Sequence, residues 1–178
     1  MKVGRRSLAA HCIGLWVFGL VGCAQPRLVS PDAAAGQTYW RGRLSLRVQA
    51  PQLAEPTAAA TSFTSYYADF ELSGRPQAGV LYLSSPLGTT LAQLRWEPGQ
   101  AWLTSEGHTR AFESLDALAI EATGAAIPIA ALYQWLRGEP VVADGWQVDL
   151  SRLSEGRVLA QRRQPAPAAE LRLILDQP

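Results

Sequence analysis

Apolar and polar residues alternate with a period of two through most of this chain, the pattern of strands with one buried and one wetted face. After Trp40, Leu44, Leu46 and Val48 alternate with Arg43, Ser45, Arg47 and Gln49 until Pro51 stops the run. Residues 51–62, rich in Ala, Pro and Thr, read as a loop. Tyr66, Ala68, Phe70 and Leu72 then share one face, opposite Tyr67, Asp69 and Glu71. Gly74-Arg75-Pro76-Gln77 turns the chain into Val80–Ser84, and Ser85-Pro86-Leu87-Gly88 interrupts before Leu91–Trp96. Pro98-Gly99 precedes Ala101–Ser105, and Glu106-Gly107 precedes a short Thr109–Phe112 strand.

The period then lengthens to about 3.6 residues. Ser114 is placed to cap a helix, with Asp116 favourably near its positive end. Leu115, Leu118, Ala119 and Ala122 make its apolar stripe, and Gly124 ends it. A second helix is predicted from Pro128, at its first position, to Gly138, with Pro140 beyond. Its stripe is Ile129, Leu132, Tyr133 and Leu136, with Trp135 alongside. Alternation resumes at Trp146, Val148 and Leu150, then at Val158 and Ala160, then at Leu171, Leu173 and Leu175. Gln164 to Ala169 reads as a hairpin loop.

Strands joined by turns this short are antiparallel, which removes doubly wound parallel folds. The order of strands, helices and strands predicts an α+β fold. Its antiparallel sheet curls into an unclosed barrel, a half-barrel, partly covered by a helical lid. The apolar faces either pack into a solid core or enclose a hydrophobic cavity. Their pattern is the same in both cases.

The first residues follow a different rule. Lys2, Arg5 and Arg6 precede an apolar run from Leu8 that ends in Leu20-Val21-Gly22-Cys23. That order is a signal peptide closed by a lipobox. The run is shorter than the ~20 residues of a spanning helix and contains His11. Residues 1–22 are therefore expected to be removed. Cys23 is then the first mature residue, with a diacylglyceryl group on its thiol and an acyl group on its amine. Residues 23–38 carry the lipid and a flexible tether of Ala, Pro, Gly and polar residues, and residues 39–178 form the folded domain. The competing reading is an uncleaved anchor with a chance cysteine. Ala24, rather than Asp, follows the cysteine; by resemblance to Gram-negative sorting rules this implies the outer membrane, facing the periplasm.

Composition removes several function classes. Without residues 1–22, 16 basic residues become 13 against 15 acidic, a net charge of −2 with no basic stripe for nucleic acid. Of two cysteines, Cys12 leaves with the leader and Cys23 carries lipid, so no thiol remains for a disulfide or metal. His108, alone after the leader, follows a turn glycine and reads as a solvated residue; a lone His gives neither a zinc site nor a triad. Asp69 and Glu71 share the polar face of a strand and read as solvated. No phosphate-binding glycine loop is present. The expectation is a non-enzyme with no metal and no cofactor.

Two excesses remain. Five tryptophans follow the leader, with Trp96 and Trp102 flanking one hairpin. Leu87 stands at the tip of a tight turn, where an apolar side chain either folds back on the sheet or meets a lipid or partner.

These features together resemble the outer-membrane lipoprotein receptor family of the Lol sorting pathway, LolB. The resemblance rests on the lipobox, Trp40-x-Gly42 and Leu83-x-x-Pro86-Leu87-Gly88. It continues in Thr123-Gly124 through Ile127-Pro128, then in Leu132-x-x-Trp135-Leu136-x-Gly138-x-Pro140. Trp146 and Leu171-Arg172-Leu173 complete it, so that it spans Trp40 to Asp176. The segment from Arg152 to Gln164 looks short for the family, and the chain ends without a terminal tryptophan strand.

The resemblance implies an unclosed barrel lidded by helices over a hydrophobic cavity. It implies a monomeric receptor that accepts lipoproteins from the periplasmic carrier LolA and inserts them into the inner leaflet of the outer membrane. Leu87 would be its membrane-delivery residue. The expected cavity lining is Leu44, Leu46, Phe70, Leu81, Leu83, Leu94 and Trp96 from the sheet, with Ile129, Leu132 and Leu136 from the lid. The alternative is a structural or assembly lipoprotein that docks a protein partner without holding lipid.

Overall fold

The computed structural model describes residues 38–50 and 62–176. Cys23, the leader, most of the tether and the loop after Pro51 lie outside the described residues. Strands β1 (Thr38–Gln49), β2 (Phe63–Arg75), β3 (Ala78–Ser84), β4 (Thr90–Glu97), β5 (Gln100–Ser105) and β6 (His108–Phe112) form a meander. Helices α1 (Leu115–Thr123) and α2 (Ile129–Leu136) follow, then β7 (Trp146–Asp149), β8 (Arg157–Arg162) and β9 (Ala169–Leu175). A 3-10 turn at Leu153–Glu155 precedes β8. Leu150 falls just past the end of β7.

All nine strands belong to one antiparallel sheet in the order β6-β5-β4-β3-β2-β1-β9-β8-β7. The last strand returns beside the first, so β1 sits centrally and β6 and β7 are unpaired edges. The sheet is an open half-barrel, as the alternation predicts. Register fixes the inner face: Leu44 lies between Ala68 and Leu173, and Leu46 between Tyr66 and Leu171. Arg43 and Arg47 point outward in the intervening positions. Gly42 is required where β1 meets β9, because a Cβ there would lie 2.1 Å from the Ile174 carbonyl oxygen.

The helices occupy the inner side. The Ser114 hydroxyl accepts the Ala117 N–H at 3.0 Å, and Gly124 closes α1 in the left-handed region at φ 77°. Only Leu118 and Ala119 of α1 are buried. In α2, six of eight residues are buried, all but Ala130 and Gln134. Pro128 occupies the cap position of α2 rather than its first turn, a one-residue difference within normal fraying.

Aromatic tips hold α2 down, since a buried phenol or indole needs a partner. The Tyr133 hydroxyl donates to the Ser73 carbonyl at 2.9 Å, and Trp135 Nε1 donates to the Val141 carbonyl at 2.7 Å. Trp146 Nε1 donates to Ala126, in the link between the helices, at 3.0 Å. Burial pushes the Tyr133 pKa up, out of any physiological range. Gly79 admits this anchor, for a Cβ there would meet Trp96 at 2.6 Å and the Tyr133 hydroxyl at 2.8 Å.

Candidate functional site

The inner face of the sheet is not filled throughout. At the end bearing the β2–β3 turn it is solid. Trp40 packs edge-on to Tyr133 at 5.4 Å, Trp96 does so at 6.4 Å, and Leu72 is fully buried among them. Toward the other end, between β1–β4, β9 and the helices, lies a cavity of about 550 Å³. Its walls are mainly apolar, with Ser65, Ser105 and Thr123 also among them. Leu44, Leu46, Phe70, Leu81, Leu83 and Leu94 line it from the sheet, and Ile129 and Leu132 from α2.

Two residues expected in this lining lie elsewhere. Trp96 shares the inner face with Leu94 but sits one step nearer the closed end, where its Nε1 donates to the Pro76 carbonyl at 3.1 Å. Leu136 is buried in the core at the far end of α2, away from the cavity wall. Alternation identifies a face but not a depth along it. Conversely, Leu171 and Leu173 of β9, Leu115, Ala119 and Ala122 of α1, and Ile127 of the helix link also line the cavity. Leu171 and Leu173 were legible as an apolar face; that β9 pairs with β1, and so reaches the same chamber, was not.

A second, more open groove of about 610 Å³ adjoins the cavity and shares Tyr66, Ala122 and Thr123 with it. It is lined also by Val48, Gln49, Ala50, Thr64, Glu121, Gly124, Ala166 and Pro167. Val48, Gln49 and Ala50 lie at the end of β1 and Thr64 at the start of β2, so the cavity opens at the end opposite the Trp40–Trp96–Tyr133 cluster.

The Leu87 turn points toward that end, because β3 runs antiparallel to β2 and stops opposite Asp69, midway along it. The turn holding it is rigidly built. Gly88 N–H donates to the Ser85 carbonyl at 2.8 Å, Ser85 N–H donates to the Thr89 carbonyl at 2.8 Å, and Gly88 takes φ 82°. Leu87 itself is 94% exposed and does not fold back on the sheet. Leu91, at the start of β4, touches both solvent and the cavity.

His108 is exposed at the start of β6, and Asp69 and Glu71 stand on the outer face of β2. Among the described residues no group of three His, Cys, Asp or Glu side chains could hold a metal ion. None of the described helices is long and apolar enough to cross a membrane. Trp102 lies on the outer face, covered by the Arg95 guanidinium at 4.6 Å.

The described residues form an open antiparallel half-barrel with two helices on its inner side and an apolar chamber between them, a shape suited to an apolar ligand. The family follows from sequence comparison. A family model described as outer membrane lipoprotein LolB matches residues 52–170. The outer-membrane lipoprotein LolB of Bordetella pertussis is 34% identical over 97% of this chain and 94% of its own length. That of Bordetella petrii is 30% identical over 89% and 87%, and that of Dechloromonas aromatica 31% over 76% and 77%. This chain belongs to the LolB family of outer-membrane lipoproteins.

Proposed function

We propose that this protein is a lipid-anchored receptor of the outer membrane that takes acyl chains of lipoproteins from the periplasmic carrier LolA into its cavity. It then releases them into the inner leaflet. Cys23 carries its own anchor, residues 24–38 tether the domain, and Leu87 meets the bilayer at delivery. The observation that supports this reading is the apolar chamber between sheet and helices. Taking a methylene as about the 30 Å³ share of a water molecule in the liquid, 550 Å³ holds about eighteen, one acyl chain of common length. A chain of about fifteen methylenes costs about 12 kcal/mol to leave in water, at ~0.8 kcal/mol each.

No bond need break in such a transfer. Acyl chains move downhill if this cavity holds them more tightly than the donor, and the bilayer more tightly again. A cargo with three chains exceeds the closed cavity, so uptake requires the helices to move or the adjoining groove to fill.

The test is titration with an environment-sensitive fatty-acid probe. Saturable binding is expected, with the Ala92→Trp variant, which fills the chamber from β4, weakening it about tenfold while keeping the circular dichroism of the parent. A parent that shows no saturable binding favours the alternative, a lipoprotein that docks a protein partner without holding lipid.

A further inference from the structure

We infer that the groove at the mouth is a separate subsite for the uncharged linkage region of a lipoprotein, the glyceryl esters and amide of its acylated cysteine. The inference rests on the acyl-cavity reading above and deepens it. Three observations carry it.

The groove is continuous with the cavity, since Tyr66, Ala122 and Thr123 form walls of both. A chain lying in the cavity can therefore bring its carboxyl end to the groove. The polarity changes across the shared wall. The cavity is walled mainly by Leu, Ile, Phe and Ala, whereas the groove adds the Thr64 hydroxyl, the Gln49 amide and the carboxylate of Glu121. Gln49 Oε1 accepts from the Ala168 N–H at 3.4 Å, which leaves the amide NH₂ to donate. Hydroxyls and an amide NH₂ are donors suited to ester and amide carbonyls.

The third observation is charge. Among the described residues no arginine lines the groove, and the one ionised residue lining it is Glu121, whose carboxylate is held by Arg110 at 3.1 Å. An acylated cysteine joined to a peptide is uncharged at its linkage. A phospholipid carries a phosphate at the same distance from its acyl chains, and a phosphate calls for arginines or a cluster of backbone N–H groups. The groove therefore favours the lipoprotein over the phospholipids of the membrane to which it delivers. Chain burial alone gives no such discrimination.

The experiment is photocrosslinking of the native, full-length protein with two triacylated cysteinyl peptides. One carries a diazirine at the residue after the cysteine, the other at the end of an acyl chain. The tail probe should label cavity residues such as Leu94 or Leu132, and the peptide probe should label Thr64, Tyr66 or Glu121. A Thr64→Val, Gln49→Leu chain should lose about tenfold in peptide-probe labelling yet keep its tail labelling, and phosphatidylglycerol should compete at least tenfold less well than unlabelled lipopeptide. Tail labelling in the cavity with peptide labels scattered outside the groove overturns the subsite and leaves the cavity reading standing. Equal competition by phosphatidylglycerol overturns the selectivity. Absence of cavity labelling by the tail probe overturns both.

Discussion

Leu87 exposes 94% of its surface on a turn whose backbone is fixed by its own hydrogen bonds. Burying a leucine is worth about 2 kcal/mol, so its position has no value to the fold while it stays in water. Leu87→Glu should therefore leave stability within about 0.5 kcal/mol of the parent. In a two-step assay it should still take lipoprotein from the carrier, yet insert less than a tenth as much into vesicles. Normal insertion would remove Leu87 from the delivery step.

Arg162 is the opposite case. It is 4% exposed, on the inner parity of β8 after Val158 and Ala160, a position that a sequence pattern reserves for apolar residues. Its guanidinium donates to the Ala126 carbonyl at 3.2 Å and the Pro167 carbonyl at 3.1 Å, and lies 5.6 Å over Trp146. Burial pushes its pKa down, opposed by Asp144. It ties the helix link to the β8–β9 loop, and being charged it was illegible as core. Arg162→Ala should lower the free energy of unfolding by about 3 kcal/mol, the scale of two charged hydrogen bonds lost with packing. Arg162→Lys, able to reach one carbonyl, should lose about half of that in urea denaturation.

The two helices differ in how firmly they are held. The Ser114 and Gly124 signals of α1 and the Pro128–Gly138 bounds of α2 were readable, because caps and stops are local chemistry. The difference in burial was not, because it comes from which strands face each helix. In α2 six of eight residues are buried and Tyr133 is fastened to Ser73, whereas α1 buries only Leu118 and Ala119. Ala122, read as part of the packed stripe of α1, is exposed and lies on the cavity wall instead. If the lid opens, α1, the less buried helix, is the part expected to move, with α2 belonging to the core. A reversible disulfide-forming crosslinker between Tyr66→Cys and Ala122→Cys, which face the same opening from sheet and helix, should hold α1 down. Uptake of lipoprotein should fall at least tenfold after crosslinking and recover on reduction. Unchanged uptake by the crosslinked chain would mean that cargo enters without α1 moving.

Across the whole molecule, the direction of β1 sets a problem of reach. The chain enters the fold at Thr38, beside the solid end, whereas the cavity mouth lies where β1 finishes and the Leu87 turn points that way from the level of Arg43. The half-barrel face was legible from alternation, but this polarity needed the register of β1 against β2 and β9. Strand β1 has 12 residues and is about 40 Å long at ~3.4 Å per residue. If Cys23 carries the lipid, Ala24 to Gln37 gives 14 residues, with a maximum reach of about 48 Å. Ser84, level with Arg43, is about 17 Å from Thr38 at ~3.4 Å per residue, so the tether's length allows the Leu87 turn beyond it to touch the membrane that holds the anchor. Removing seven residues, Arg27 to Ala33, halves the reach and should hold the solid end toward the bilayer. Delivery into the receptor's own membrane should then fall several-fold while uptake from the carrier stays unchanged. The same deletion in a soluble form of the chain, made with a cleavable non-lipid leader, should restore delivery, because the domain is free to turn. If the anchored deletion delivers normally, cargo leaves the cavity without Leu87 reaching the anchoring membrane, and the orientation argued from β1 is wrong.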